Sequence, residues 1–299
     1  MIVVETHLPN LFHRGKVRDT YDIGNGLLLM VATDRISAFD VVLPTAIPQK
    51  GLVLARMSAF WFRRTAHLLA NHLVAMADEE ALKGSLAPGL LASVPTDIKP
   101  RAMVVRRAKR IDVECVVRGY LAGSAWAEYS RHGTIHGQRL PSGLREGEPF
   151  PEPVFTPTTK AEAGHDQPMT FGQVEEMVGA GLAAQLRDRT VAVYNFARKY
   201  ALSRGIIIAD TKMEFGLLED KLILIDELLT PDSSRFWDQE GYSPGKSQPN
   251  FDKQFVRDWL TESGWNREPP APPLPSDIVE KTCWRYLEAY RRLTGEALE

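Results

Sequence analysis

Four side chains in the second half of the sequence have types and a spacing that could bind a metal ion and a phosphate group. Asp210, Lys212 and Glu214 alternate within one apolar segment, and Asp226 follows the next apolar segment. Alternate residues of a β-strand share one face of the strand. A hairpin that turns near Asp220 would therefore place Glu214 opposite Asp226, and cross-strand partners of this kind have Cβ atoms about 5 Å apart.

Two carboxylates at that separation repel each other unless a cation or a proton lies between them. Magnesium binds one or two protein carboxylates together with phosphate oxygens. Lys212, on the same strand face, could contact a phosphate while it is transferred. The pattern favours a magnesium–nucleotide site, and the solvated outer face of an ordinary hairpin is the alternative.

Basic residues beside a glycine or within a strand form a second group. Lys16 and Arg18 follow Gly15 just before a predicted hairpin, where backbone amides and positive charge could bind a phosphate. This segment matches neither the Walker A nor the GxGxxG pattern, so a plain basic turn is the alternative. Arg106 lies in a basic run over 104–110, which fits a phosphate contact or a charged edge strand.

Further polar residues could bind anionic or polar substrates. Arg118 and Ser124 flank a predicted helix start that could bind an anion, or they belong to an ordinary strand–turn–helix. Arg235 lies in a turn rich in Pro, Asp and Ser. His165 could be a base, a substrate contact or a surface residue. It lies within 141–168, whose six prolines predict a long ordered loop or a flexible cover.

Apolar periodicity and turn residues predict the elements that must position these side chains. Strands are predicted over 102–107 and 113–118, and helices over 52–73, over 170–203 and from residue 276 onward. A hairpin turn is predicted at 23–26. A capping box at Thr170 should begin the fourth of these segments, and a break is expected near Gly179 and Gly181. Cys283 is expected on the core face of the last helix. A domain boundary near Arg110 would separate an N-terminal lobe, 1–110, from a C-terminal lobe, 111–299.

Composition excludes several classes of protein. The 299 residues are 44% hydrophobic and 25% charged, which excludes a largely disordered chain. The formal net charge of −2 argues against a general nucleic-acid binder. No apolar run approaches the roughly 20 residues of a membrane span, so no membrane contact is expected. The 2 cysteines form neither a metal pattern nor a disulfide framework, which favours a cytoplasmic location. The oligomeric state stays open, and a monomer is compatible with the sequence.

Taken as a set, these segments resemble the SAICAR synthetase family. The matching motifs run in order from Gly15 to Leu260 and cover most of the chain. They are GKVRDTYD, ATDRISAFD, IPQKG, ECVVRGYLAGSAW, FTPTTKAEAGHD, IIIADTKMEFG, DELLTPDSSRFW and DKQFVRDWL. The chain length and the later PPAPPLP segment resemble the longer form of the family.

The resemblance implies an α+β fold of two lobes, related to ATP-grasp enzymes, with the nucleotide in the cleft between them. It implies a ligase of purine biosynthesis that joins the carboxylate of CAIR (carboxyaminoimidazole ribotide) to the amino group of L-aspartate. The products would be SAICAR, ADP and phosphate, with ATP as a substrate and Mg²⁺ as the metal. Because a carboxylate has a poor leaving group, γ-phosphoryl transfer would first convert it into an acyl phosphate.

The resemblance also implies roles for particular residues. Those implied to bind ATP are Lys16, Arg18, Arg106, Glu114, Cys115, Val116 and Lys212. Of these, residues 114–116 would present backbone groups to adenine, and Arg106 stands where the family often has a lysine, which is not an equivalent donor. Glu214 and Asp226 match the magnesium carboxylates, and Lys212 and Asp210 match catalytic positions. The residues implied to contact the substrates are Asp40, Arg118, Ser124, Lys160, His165, Asp166 and Arg235.

Two other functions remain alternatives on the sequence alone. A small-molecule kinase would share the phosphate loop, the carboxylates and Lys212, but it would need no second anion site. A nucleotide-binding regulatory or scaffold protein would need no turnover at all, and it would tolerate the loss of Glu214 or Asp226.

Overall fold

The chain combines separate helices with mainly antiparallel strands in the computed structural model, which describes residues 1–82, 91, 93–160 and 166–298. The strands are β1 (Leu11–Arg14), β2 (Arg18–Gly24), β3 (Leu27–Ala32), β4 (Ser37–Ala38), β5 (Val41–Val42), β6 (Leu73–Met76), β7 (Ala102–Arg106), β8 (Lys109–Arg110), β9 (Val113–Tyr120), β10 (Thr134–Ile135), β11 (Gln138–Arg139), β12 (Pro149–Phe155), β13 (Thr158–Thr159), β14 (Ile206–Leu218), β15 (Lys221–Ile225) and β16 (Ser234–Asp238). The helices are α1 (Lys50–Thr65), α2 (Gly123–His132), α3 (Phe171–Val178), α4 (Ala180–Leu202), α5 (Gln254–Glu262) and α6 (Ser276–Thr294). The predicted α+β class is confirmed.

A five-stranded antiparallel sheet with the order β1-β2-β3-β7-β6 forms the first layer. The predicted hairpin joins β2 to β3, and its turn residues Asn25 and Gly26 have φ of 54° and 70°. Alternate residues of β3 enter two different apolar clusters: Leu29 faces one side of the sheet, and Met30 faces the other with α1. Burial of both faces fixes the strand register.

A second sheet of seven strands carries most of the candidate site residues. Its main path is β12-β9-β14-β15, with β13 pairing β9, and with β8 and β16 pairing β14. The long strand β14 is therefore flanked on both edges by strands that bear polar candidates. Helix α4 packs against it, and the Tyr194 hydroxyl donates to the Ile208 carbonyl oxygen at 2.7 Å.

The capping box and the glycines predicted the α3–α4 region correctly. The apolar periodicity predicted a first helix that is too long. The Thr170 capping box is present, and the helical region divides at Gly179, where φ is 84°. Helix α1, expected over 52–73, ends at Thr65 instead. Beyond it, Leu73 pairs with Val105 of β7, so strand pairing overrides the helical periodicity of this segment.

The proline-rich stretch is not a loop throughout, contrary to expectation. Its residues Pro149–Phe155 form β12, at the edge of the second sheet, and the register is irregular between Pro149 and Val154. An edge strand tolerates proline because one side of its backbone needs no hydrogen-bond partner. Both β12 and β13 pair with β9, so the proline-rich stretch forms part of the sheet that carries the candidate site residues.

A third apolar cluster joins early and late parts of the chain. Ile36 and Ile47 pack with residues of α5 and α6, including Val256 and Ile278. Cys283 is only half-buried in this cluster and lies 3.2 Å from the Pro48 carbonyl oxygen, so its expected core position is partly right. The chain passes from the first sheet to the second between β7 and β8, close to the proposed boundary near residue 110, which stays a proposal.

Candidate active site

An acid–lysine cluster, formed by Glu114, Lys160, Lys212 and Glu214, lies beside β14. The Lys160 Nζ is 2.9 Å from Glu114 Oε1 and 2.6 Å from Glu214 Oε1. The Lys212 Nζ donates to the same Glu114 oxygen and lies 3.9 Å from Glu214 Oε1. Lys212 and Glu214 therefore share a strand face as predicted, and Lys160 reaches them from a distant segment. The sequence analysis assigned no role to the carboxylate of Glu114, although a single acidic residue in an apolar strand could have indicated a site residue.

Asp226 adjoins this cluster, but its register differs from the prediction. Glu214 pairs with Ile225, not with Asp226. The hairpin closes through two residues, Glu219 and Asp220, with φ of 49° and 59°, whereas the predicted pairing needs a turn centred on one residue. Asp226 follows the strand with φ of 67°, and its Oδ2 accepts a hydrogen bond from Arg18 Nη2 at 2.6 Å.

The carboxylates of this region differ in their proton affinity. Burial raises the pKa of Glu214, and the negative charge of Asp226 raises it further. Burial also opposes ionisation of Glu114, but the ammonium groups of Lys212 and Lys160 outweigh it, so the pKa of Glu114 is lowered. The pKa of Asp226 is likewise lowered, against burial, by Arg18. A further cation near Glu214 would therefore offset its repulsion by Asp226 and stabilise its ionised form.

The residues present fit a magnesium ion that is shared with phosphate. The described part of the chain holds no group of three or more His, Cys, Asp and Glu side chains arranged to bind a metal alone. Magnesium bound through a nucleotide needs only one or two carboxylates. The carboxylates of Glu214 and Asp226 have the chemistry of such donors, and burial together with the negative charge of Asp226 raises the pKa of Glu214.

An arginine cluster, formed by Arg118 of β9, Asp210 of β14 and Arg235 of β16, lies across three neighbouring strands. Asp210 pairs with Arg118 across one edge of β14 and with Arg235 across the other. Its Oδ2 accepts from Arg118 Nη1 at 2.9 Å and from Arg235 Nη1 at 2.6 Å. Arg118 Nη2 also donates to Ser124 Oγ at 3.1 Å. The structure thus brings together residues that the sequence placed on three separate segments.

The start of α2 lies beside the arginine cluster. Gly123 has φ of 57°, and a Cβ built there would lie 2.1 Å from Arg235 Nη2, so only glycine allows the arginine to pack against the helix start. No side chain caps the helix at Ala122. Free amides at a helix N-terminus bind phosphate groups, and here two arginines adjoin them.

A cavity of about 490 Å³ opens beside the arginine cluster. Three predicted site residues line it, and so do three basic residues that the sequence analysis missed: Asp40, Ser124, Arg235, Lys253, Arg257 and Arg267. Lys16 donates to Asp40, so the predicted phosphate loop reaches the edge of this cavity. The spacing of Lys253 and Arg257, four residues apart at a helix start, could have revealed them.

The substrate-side loop is only partly described. Lys160 contacts both glutamates of the acid–lysine cluster. Asp166 is exposed, and His165 lies outside the described residues. Arg106 is exposed at the end of β7.

Comparison with known proteins decides the family. The SAICAR synthetase family model matches residues 11–272. The chain belongs to the SAICAR synthetase family. It is 51% identical to the phosphoribosylaminoimidazole-succinocarboxamide synthase of Halorhodospira halophila over 98% of both chains. The protein of the same name from Geobacter metallireducens is 48% identical, covering 99% of this chain and 98% of the relative.

Solved structures agree with this membership. The SAICAR synthase of Saccharomyces cerevisiae, described as complexed with SAICAR, superimposes with a TM-score of 0.87 at 43% identity and 99% coverage of both chains. The predicted SAICAR synthetase fold is therefore confirmed. In the described residues of this family member, no helix is long and apolar enough to cross a membrane.

The structure corrects the role expected for the backbone of residues 114–116. Cys115 pairs with Met213 of β14, and the Val116 carbonyl oxygen accepts from Thr156 N at 2.8 Å. Because β9 is an interior strand, these backbone groups are already bonded and are not open to adenine. The connection between the sheets is Arg107–Ala108, immediately before β8.

Cys115→Ala is expected to keep kcat within about twofold of the parent enzyme. Burial raises the pKa of the Cys115 thiol to about 12, so the thiol stays protonated at neutral pH, and its side chain is not exposed to a reactant. Steady-state turnover of Cys115→Ala, with Cys283→Ala as the matched control, tests this. A severe loss of kcat in folded Cys115→Ala would assign the thiol a role that this geometry does not provide.

Proposed function

We propose that this chain is the ATP-dependent ligase of its family, which joins CAIR to L-aspartate and releases SAICAR, ADP and phosphate. The observation that carries the proposal is that two charged clusters each include a residue of β14, at neighbouring positions of that strand. Asp210 of the arginine cluster and Lys212 of the acid–lysine cluster lie two residues apart on the same face of β14. A kinase would need only the second cluster, whereas a ligase that acts on a ribotide uses both. The yeast relative described as complexed with SAICAR supports this.

The nucleotide side of the site is assigned to the acid–lysine cluster and its neighbours. Lys16 and Arg18 would bind the ATP phosphates, and Lys212 would contact the phosphoryl group in transfer. Glu214 and Asp226 would hold Mg²⁺, which supplies charge neutralisation at the phosphates when bound.

The substrate side is assigned to the arginine cluster. Arg118, Ser124, Arg235 and the α2 amides would bind the phosphate of CAIR, and Asp210 holds both guanidinium groups in place. Residues two apart on a strand are separated by roughly 7 Å along it. That separation is short enough for a ribotide anchored at the arginines to bring its carboxylate to Lys212.

The proposed reaction has two steps. A CAIR carboxylate oxygen attacks the γ-phosphorus of ATP, ADP leaves, and an acyl phosphate forms. The neutral amine of L-aspartate then attacks the acyl carbon, phosphate leaves with the former carboxylate oxygen, and the nitrogen loses a proton. Negative charge grows on phosphoryl and acyl oxygens in both steps, and we assign its stabilisation to Lys212.

Arg235→Met is expected to raise the KM for CAIR about 10- to 100-fold, because a charge-assisted hydrogen bond to phosphate is lost. Ser124→Ala should raise it about fivefold, as expected for a neutral hydrogen bond. Initial rates at varied CAIR, with Lys246→Met as an exposed control, measure this. An unchanged KM for CAIR in both variants would contradict the assignment.

Omission of single substrates tests the proposed function. ADP and SAICAR are measured by mass detection with Mg²⁺-ATP, CAIR and L-aspartate together and with each left out. We expect SAICAR only with all three. ADP without SAICAR in the complete mixture would indicate a kinase, and neither product from a folded, ATP-binding protein would indicate a regulatory role. The cytoplasmic location remains a prediction, and the oligomeric state stays open.

A further inference from the structure

The Arg118 guanidinium contacts a buried threonine outside the arginine cluster. Arg118 Nε donates to Thr156 Oγ1 at 3.0 Å. The two residues are only 5% and 1% exposed, so bulk water does not compete for this hydrogen bond. Two further hydrogen bonds of the guanidinium go to Asp210 Oδ2 and Ser124 Oγ, at 2.9 and 3.1 Å.

The register of the second sheet places this threonine beside Arg118. Val154 of β12 pairs with Arg118 of β9, and the Thr156 N–H donates to the Val116 carbonyl oxygen at 2.8 Å. Thr156 is therefore a diagonal neighbour of Arg118 on the same face of the sheet, within reach of a long side chain. Asp210 pairs with Arg118 from β14, on the other edge of β9. Side chains from both edges of β9 thus fix the guanidinium.

The donor count of Arg118 shows why its Nε–H needs an acceptor. A guanidinium has five N–H donors and no acceptor. Among the described residues, Thr156, Asp210 and Ser124 accept from three of these donors, which leaves two for an anion at the start of α2. Without the threonine hydroxyl, the buried Nε–H would lose its acceptor. Rotation of the side chain toward another acceptor would move the donors that face Asp210 and Ser124.

We propose that Thr156 is a positioning residue for substrate binding: it accepts the Nε–H of Arg118 and so holds the guanidinium in the orientation that binds the phosphate of CAIR. The inference rests on the proposed function, which assigns Arg118 to that phosphate. Thr156 acts through Arg118 and not by contact with the substrate. Because it directly follows β12, the proline-rich stretch takes part in ribotide recognition.

Thr156→Val is expected to raise the KM for CAIR about 5- to 20-fold, because valine is close to threonine in shape but accepts no hydrogen bond. The kcat at saturating CAIR and the KM values for ATP and L-aspartate should stay within about twofold of the parent values. Thr156→Ser restores the acceptor and should return the KM for CAIR to within about twofold. Thr282→Val, the same change at a buried threonine of α6, is the matched control.

A double-mutant cycle with Arg118→Met tests whether Thr156 acts through the arginine, since such a cycle measures the coupling between two side chains. In the Arg118→Met background, Thr156→Val should leave the KM for CAIR unchanged, because no Nε–H remains to be positioned. Asp210 keeps its ion pair with Arg235 in both variants. Should Thr156→Val alone fail to fold, the double variant decides, because it has no buried Nε–H without an acceptor.

The possible results separate a positioning role from a structural one. An unchanged KM for CAIR in folded Thr156→Val would overturn the inference, even if the variant melts at a lower temperature. A further rise of this KM in the double variant would also overturn it, since Thr156 would then act without Arg118. KM values for ATP and L-aspartate that rise as much as the KM for CAIR would indicate general disruption of the sheet instead. Absence of SAICAR from the parent enzyme would overturn the proposed function.

Discussion

Replacement of Glu214 by alanine is expected to lower kcat by about 10³-fold or more. The variant loses a buried carboxylate that we assign to Mg²⁺-ATP, and such charge stabilisation amounts to several kcal/mol, with each 1.4 kcal/mol equal to about tenfold in rate. Asp226→Ala should have a similar effect, and it also frees Arg18 from its 2.6 Å ion pair. ADP release with all substrates saturating measures both.

The control for these variants is Glu240→Ala, because Glu240 is an exposed acid at the end of β16. Magnesium titration adds a second readout, since weaker metal binding should move the half-saturating magnesium concentration upward. Full activity of Glu214→Ala or of Asp226→Ala at ordinary magnesium would remove that residue from the metal site.

Lys212→Met is expected to lower kcat by about 10²- to 10³-fold, which is typical for loss of one group that stabilises developing negative charge. The variant should fold, because Lys160 still pairs with Glu114 at 2.9 Å and leaves no buried carboxylate unpaired. The KM for CAIR should change little, since the ribotide phosphate binds at the arginine cluster. Single-turnover ADP formation measures the phosphoryl-transfer step separately from product release.

Lys160→Met is the informative comparison for this variant. It removes a lysine that contacts the same two glutamates but is assigned no direct phosphate contact, so its effect on single-turnover ADP formation should be smaller. A kcat for Lys212→Met within about fivefold of the parent would contradict the role of Lys212 in phosphoryl transfer.

The strand-face pattern of the site was predictable from the sequence because it is local. A period of two puts Lys212 and Glu214 on one face of β14 wherever that strand lies. The position of Asp226 was off by one residue, because register depends on the turn, and the two-residue turn at 219–220 pairs Glu214 with Ile225.

Contacts between segments that are distant in the sequence were harder to predict. The pairing of Lys160 with Glu114 joins residues 46 positions apart, and no local pattern encodes it. The adenine contact of residues 114–116 was implied by the family resemblance, and the interior position of β9 became visible only in the folded sheet. Likewise, only the folded chain brings Lys253 and Arg257 to the same cavity as Arg235.

The most direct test of the central claim follows one oxygen atom. CAIR labelled with ¹⁸O in its carboxylate is converted to SAICAR with unlabelled ATP and L-aspartate, and the inorganic phosphate is analysed by mass spectrometry. Activation through an acyl phosphate transfers one ¹⁸O from the carboxylate to each phosphate released, and the amide oxygen of SAICAR keeps the other. Unlabelled phosphate alongside labelled SAICAR would contradict phosphoryl transfer to the CAIR carboxylate, and with it the role assigned to the acid–lysine cluster.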